Sequence, residues 1–573
     1  MRKLLLLLFT ICDLLLFSSP LENVPVKLTQ PDGSEFFCYT SGDEFYHWLH
    51  DIQGNMIIQD SVSHYYCYRV IGTDSLIAAN KVVKSHYNFV KHSNKIIQER
   101  QKNIQLYNQV ENIPYKFLPN RNRAITTINN LVVFIIFSDQ DDYTETIRDN
   151  ISTMYIDSAT NANSLKQYFW TSSYNQLKVN SYFYPIGTST YSYQDVHPRA
   201  YYCPYSEDNP IGYTDAQRKN REDSLLVRAI TSIQNQIPSN LNVDSDNDGR
   251  VDNICFIVKG GTTAWNTLLW PHKWSLIQKT YINGKRVYTY NFQLSNFTTQ
   301  YGVGVLCHEF GHTLGLPDLY HGYPDSLGHT WNPIGSWDIM ASNGYYPQQT
   351  SGYMKYKYLH WIDSLPVISS DGRYSLYPMS STKQCYKVAI DGSNEYLYLE
   401  YRKKTQVYDT YVPNSGLLIY RINPSKHGNF YAVECGGKND EIYVYRRDGN
   451  FITDGSLSLA PFCTELNSTS FGRYTNPQQF LSTAEFGNVY ISDISGCDSV
   501  ISFNINICPI EDITYTQQDI IPTYTKAKSI TTNGSVIINA DTQFKATMNI
   551  LLNDGFEVTY GTTFEANVSP CGN

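Results

Sequence analysis

Apolar residues recur along this chain with several different periods. Leu131 to Phe137 is an unbroken apolar run closed by Ser138-Asp139, which predicts a strand buried on both faces. Ile254 to Lys259 reads as another strand. Asp215 to Ile237 carries apolar residues at 225, 226, 229, 230, 233 and 237 ahead of Pro238, the spacing of an amphipathic helix and its stop. Asn163 to Leu177 predicts a helix with an aromatic face, Tyr168-Phe169-Trp170, and Ser351 to Ile362 a further amphipathic helix. Upstream, Val26–Cys38 and His64–Ile71 are strand-like runs, with Asp32-Gly33 and Gln53-Gly54 as turns. Lys91 to Arg123 is too polar to bury much and predicts an exposed helix or linker. From 367 to 508 the runs become short and alternating between Gly, Asn and Asp, as in a β-sandwich. Residues 509–573 read as Thr-rich strands with glycines every few residues, a small β module.

The helix pattern from Val303 to Asp318 carries candidate chemistry. His308 and His312 lie one turn apart on one helical face, so two neutral ring nitrogens can reach one ion at about 2.0–2.1 Å. Glu309 lies where it reaches a water on that ion rather than the ion itself. Gly315 can take the left-handed backbone that ends a helix, and Pro317 prevents its resumption, so the chain can swing Asp318 back as a third ligand. Two His, one carboxylate and an open fourth position describe a catalytic zinc site, since structural sites are closed by four protein ligands. The bland alternative is a buried helix that happens to contain two histidines.

A second candidate is Asp244, Asp246, Asp248 and Asp252 around Gly249. Alternating carboxylates at a glycine turn can surround a calcium ion at about 2.3–2.6 Å. An EF-hand would place Glu at the twelfth position, which here is Cys255. The expectation is therefore a calcium loop without flanking helices, and the alternative is a solvated acidic turn.

The residues from His308, H-E-F-G-H-T-L-G-L-P-D-L-Y, followed by S-W-D-I-M-A from Ser336, resemble the M6, immune-inhibitor-A-like metallopeptidases, a family of secreted bacterial proteases. The resemblance implies a metzincin-like zinc protease domain, a mixed sheet plus active-site helix, with Met340 in a Met-turn beneath the metal. It further implies that Tyr345 or Tyr346 supplies a phenol near the oxyanion. Gln30-Pro-Asp-Gly33 with Ser41 to Phe45 and Trp48 is similar to the family's amino-terminal prosegment, and the basic connector after it offers an activation site. Trp270-Pro-His272-Lys-Trp274 is also familiar from the family. A lone His among aromatics reads as packing.

At 573 residues the chain exceeds a single core. The expected architecture is multidomain α+β: signal peptide 1–19, prosegment and linker 20–123, M6-like catalytic domain 124–366, β-sandwich 367–508 and C-terminal β module 509–573. Met1-Arg2-Lys3 before the apolar Leu4–Phe17 predicts the signal peptide, and hence a secreted or cell-surface protein with no transmembrane segment in the mature chain. A net charge of −9 gives no nucleic-acid signal. The 48 Tyr suit half-exposed strands and binding faces, so surface or glycan contact through the C-terminal β domains is a candidate role. Of the 12 Cys, Cys12 leaves with the signal and an odd number remains. Cys307 is the expected free thiol, and Cys38–Cys67 and Cys497–Cys508 are candidate local pairs. The functional expectation is a zinc-dependent endopeptidase acting on proteins or peptides, with Glu309 as general base. Its rivals are an adhesin or glycan-binding protein with an inert metalloenzyme domain, and a zinc hydrolase acting on something other than peptides.

Overall fold

The computed structural model describes residues 21–43, 47–60, 63, 65–71, 75–80, 100–105, 126–187, 189–207, 209–261, 268–322, 331–390, 392–405, 408–433, 435–507 and 512–568. The expected signal peptide, most of the 91–123 linker and Cys508 lie outside them. The chain forms two compact units. One comprises 1–170, 177–313 and 342–347, and the other 171–176, 314–341 and 348–573.

The first unit begins with an antiparallel meander of six strands in sequence order: β1 (Leu21–Thr29), β2 (Glu35–Gly42), β3 (His47–His50), β4 (Met56–Gln59), β5 (Tyr66–Arg69) and β6 (Leu76–Ala78). Its small core contains Cys38, Leu49, Ile57 and Tyr68. Cys38 and Cys67 stand as separate thiols rather than the expected pair. His47 of β3 stacks on Trp270 with ring centroids 4.1 Å apart, and burial lowers its imidazole to about 3, so the ring is neutral.

The main sheet of this unit contains β7 (Thr126–Ile136), β8 (Leu177–Tyr184), β9 (Tyr193–Gln194), β10 (Ile254–Val258), β11 (His272–Ile282) and β12 (Lys285–Leu294). Its order is β11-β12-β10-β7-β8, with β9 also paired to β7. All pairs are parallel except β11 with β12. The apolar run of β7 is buried throughout, as a central parallel strand requires. The β11–β12 hairpin was not foreseen from apolar runs. Its signal is Asn283-Gly284, both left-handed at φ 48° and 77°, the turn that matches strand twist.

Helices α1 (Glu145–Ile156), α2 (Leu165–Ser172), α3 (Asp215–Ile233), α4 (Ser295–Tyr301), α5 (Val303–Thr313) and α6 (Gly352–Lys357) follow in chain order. Thr214 opens α3 with a reciprocal capping box to Gln217, and its apolar stripe is buried as predicted. Two predicted helices are shorter than their patterns. α2 stops because Tyr174 and Asn175 take φ 56° and 64°, and His360 at φ 54° lies beyond α6 where the longer pattern would need helix.

In the second unit, one sheet runs β13 (Val367–Ile368), β15 (Cys385–Ala389), β16 (Tyr396–Arg402), β17 (Gly416–Ile422), β18 (Ile442–Val444). A three-stranded sheet orders β14 (Gly372–Leu376), β20 (Ile501–Ile507) and β19 (Val489–Ser492). Leu397, Leu399 and Ile419 of the first sheet share a core with Leu376, Ile491 and Phe503 of the second, the packing of a sandwich. The last module differs in kind. Strands β21 (Asp512–Thr516), β22 (Tyr524–Asn533), β24 (Thr542–Leu552) and β26 (Phe564–Val568) pair in parallel, as do the short β23 (Ile537–Ile538) and β25 (Glu557–Val558). Successive strands therefore stack as coils, with Ile530, Ile538 and Phe544 inside.

Helix α5 reaches its position through a close backbone approach. A Cβ on Gly304 would lie 2.0 Å from the Gly344 carbonyl oxygen. Gly304→Ala gains about 1 kcal/mol of helix propensity but meets main chain that cannot rotate away. The expected outcome is a net loss of about 1–3 kcal/mol, read as a lower urea midpoint of the unit containing α5. An unchanged or higher midpoint would show that this approach is loose.

Candidate metal centre

Helix α5 is buried along nearly all its length. His308 is 1% and Glu309 5% exposed, while His312 is partly open. The His308 and His312 rings stand at 88° with centroids 4.7 Å apart, and their Nε2 atoms are 3.1 Å from each other. Two nitrogens each about 2.05 Å from one tetrahedral ion would be roughly 3.3 Å apart. The ring geometry therefore fits a shared cation closely. Gly315 takes φ 94°, ending the helix as its sequence requires. Within this continuous stretch the ligand atoms of His308, His312 and Asp318 all lie within 4.8 Å of one another. Neutral imidazoles and a carboxylate form a donor set suited to zinc.

The carboxyl end of α5 is tied down by polar groups inside the sheet. The Thr313 hydroxyl lies 2.9 Å from Asn253 Oδ1 and 3.1 Å from Asn291 Oδ1. The Asn253 amide donates to Asn130 Oδ1 at 2.7 Å, and Asn130 donates to Ser181 Oγ at 3.1 Å. These positioning groups, on β7, β8 and β12 and directly ahead of β10, were missed from sequence. The available signal was Asn129-Asn130 directly before the apolar run that fills the rest of β7. Phe310 packs on Phe169 of α2 at 4.9 Å between centroids.

Met340 is fully buried in a tight turn. Its N–H donates to Asp338 Oδ1 at 3.0 Å, Ala341 N–H donates to the Asp338 carbonyl, and Leu319 N–H donates to the Met340 carbonyl at 2.9 Å. The residue after Asp318 is thus hydrogen-bonded to the turn. Tyr345 and Tyr346 are 36% and 38% exposed, with rings 5.0 Å apart. Tyr345 packs at the amino end of α5, where Gly302 at φ 67° leaves no room for a Cβ beside the Tyr345 ring. His272 is held by polar contacts on both ring nitrogens as well as by its aromatic neighbours: its Nδ1 lies 2.6 Å from the Trp270 carbonyl and its Nε2 2.8 Å from Glu222. Burial opposes charge on Glu222, but His272, Lys219 and Arg218 outweigh it and lower that carboxyl to about 2.

Residues 121–357 match the family described as immune inhibitor A peptidase M6, catalytic domain. This stretch is an M6 peptidase domain. The match supports a metallopeptidase, and His308, His312 and Asp318 form one group within the matched stretch that could hold a metal. A comparison with curated proteins finds no match. No helix among the described residues is long and apolar enough to cross a membrane.

The acidic loop of the M6 domain brings three of its four carboxylates together. Asp244, Asp246 and Asp252 have oxygens within 4.8 Å of one another, whereas Asp248 accepts from the Arg250 N–H at 2.8 Å. Asp244 pairs with Lys285 at 2.7 Å, and both Asp252 oxygens accept from Ser245 N–H. Burial, with the neighbouring carboxylates, raises Asp246 to about 6 and Asp252 to about 7. An acid whose folded pKa exceeds its unfolded value binds protons more readily when folded, so stability falls as pH rises from about 4 toward 7. A bound cation would oppose that loss. The melting temperature is therefore expected to drop between pH 5 and pH 7.5, and millimolar calcium to restore it at pH 7.5 with little effect at pH 5. Equal calcium shifts at both pH values would remove this loop as the cause.

Proposed function

We propose that the chain is a secreted zinc endopeptidase in which His308, His312 and Asp318 hold the metal and Glu309 is the general base. The observation that carries this reading is the convergence of two imidazole nitrogens 3.1 Å apart with a carboxylate, on a helix that also presents Glu309. Zinc, when bound, would acidify a water and polarise the scissile carbonyl. Glu309 takes the water's proton and delivers it to the departing amine, so one carboxylate serves both steps. Its low exposure strengthens its interaction with charge that develops beside it. The Met340 turn, tied to the residue after Asp318, would keep that carboxylate directed at the metal, as in a metzincin-like arrangement. A phenol from Tyr345 or Tyr346 would assist the oxyanion.

The same reading makes residues 20–123 a prosegment whose basic connector is cut on activation, and makes 1–19 the export signal. Calcium, if the acidic loop takes it, would rigidify the scaffold and leave the chemistry to the helix. The rival of an inert domain on an adhesin is disfavoured by the intact Glu309 beside both imidazoles.

The test is casein hydrolysis by the mature protein. Glu309→Gln is expected to retain fold and zinc stoichiometry while losing about 10²–10⁴-fold in kcat. His308→Ala is expected to lose both zinc and activity, and a chelator to abolish wild-type activity reversibly on zinc return. Wild-type turnover by Glu309→Gln would overturn the mechanism, and full zinc occupancy in His308→Ala would remove that residue from the ligand set.

A further inference from the structure

Two cysteines of the carboxy-terminal sandwich face each other, and none of the peptidase chemistry uses them. Cys463 is 1% exposed and follows Phe462, which pairs with Leu417 of β17 in the larger sheet. Cys497 lies in the turn between β19 and β20 of the three-stranded sheet. Both sulfurs point at one carbonyl, that of Ser415, at 3.7 Å from Cys463 and 3.1 Å from Cys497. The two Sγ atoms and a Glu465 oxygen all fall within 4.8 Å of one another. Glu465 also accepts the Cys497 N–H at 3.0 Å, which pins the turn so that its thiol faces Cys463.

We propose that Cys463 and Cys497 form a disulfide that staples the two sheets of the sandwich. The pairing differs from the Cys497–Cys508 link suggested by nearness in sequence, because the β19–β20 turn directs Cys497 across the sandwich. The two thiols also interact with each other, which lowers Cys463 and raises Cys497. With a small-molecule disulfide as oxidant, the thiolate of one of the two cysteines attacks one sulfur and expels a thiolate, forming a mixed disulfide. The other cysteine, losing its proton, then attacks the sulfur of the first and expels the second thiolate. Two protein thiols are oxidised and one oxidant disulfide is reduced to two thiols. The link closes a loop from 463 to 497, restricting the unfolded chain, and covalently joins layers otherwise held by apolar packing.

The donor set of two thiolates and a carboxylate would also suit a soft metal ion, and the experiment separates the two. The reduced full-length chain, in metal-free buffer, is equilibrated with oxidised glutathione. Remaining thiols are blocked with maleimide, and non-reduced peptides are mapped by mass. The expected product is one peptide pair joining Cys463 to Cys497, lighter by the two lost hydrogens. The oxidised protein is expected to melt roughly 5 °C above the reduced form, and Cys463→Ser and Cys497→Ser to abolish that difference. Complete maleimide labelling of both cysteines after oxidation would overturn the proposal, as would Cys497 linked elsewhere. So would zinc protecting both thiols from maleimide where glutathione fails to join them. The mapping uses wild-type protein and neither activity nor compartment, so a negative result leaves the peptidase reading standing.

Discussion

The 3.1 Å between the Nε2 atoms of His308 and His312 is set by one turn of α5, and the pair stays aimed at one point only while that helix can neither rotate nor slide. A slip of one residue moves a helix about 1.5 Å along its axis and turns it by about 100°, which would replace His308 with Cys307 or Glu309 at the same point. Three kinds of contact oppose such a slip. Gly304 admits the Gly344 carbonyl at the amino end, Phe310 packs on Phe169 along the side, and Thr313 meets Asn253 and Asn291 at the carboxyl end. The first is steric and the second apolar. The third is directional, because leaving those buried amides unpaired would cost about 1–3 kcal/mol each.

The Met340 turn is fixed by a different device, buried charge. Asp338 is wholly buried and accepts from Met340 N–H, Thr350 Oγ1 and Ser351 N–H. Arg402, also wholly buried, donates to the Trp337 carbonyl at 3.0 Å and the Gln349 carbonyl at 3.2 Å while pairing with Asp409 and Glu400. Lys355 donates to Gln349, and burial pulls its ammonium down to about 7. Buried ion pairs of this kind contribute little net stability over an apolar replacement, but losing one partner costs about 3–5 kcal/mol. The network therefore acts less as a reservoir of stability than as a selector of one arrangement for residues 337–351. The main-chain carbonyls that Arg402 grips are those of the turn itself and of the segment that follows it.

Hydrophobic period was sufficient to locate β7, β10 and α3, because each is buried on a face or faces that its residue pattern marks. It failed for α2 and α6, whose patterns ran past residues that take left-handed backbone; Tyr174 and His360 carry no side-chain signal for that choice. It also missed β11 and β12, where the informative signal was the turn and not the strands. The grouping of His308, His312 and Asp318 was legible since the three lie within one short stretch and helical geometry converts spacing into direction. The Asn130–Asn253–Asn291 set was not, because its members come from separate strands and only sheet register unites them. Nearness in sequence suggested Cys508 as the partner of Cys497, whereas the proposed partner, Cys463, lies across the sandwich, where only the packing of two sheets brings it near.

The thiols near α5 show why sulfur would not compete with the imidazoles and carboxylate grouped there. Cys307 adjoins His308 and Cys255 lies on β10, and both are buried. Burial raises each thiol, Cys255 to about 12, and the Glu309 charge adds to the effect at Cys255. A thiol competes for a metal only as thiolate, so at neutral pH both sulfurs stay protonated. The apolar surroundings that hold α5 rigid thus also keep its soft donors silent. In the sandwich, by contrast, Cys463 and Cys497 face one another with a carboxylate at hand, and their reactivity follows from proximity to each other.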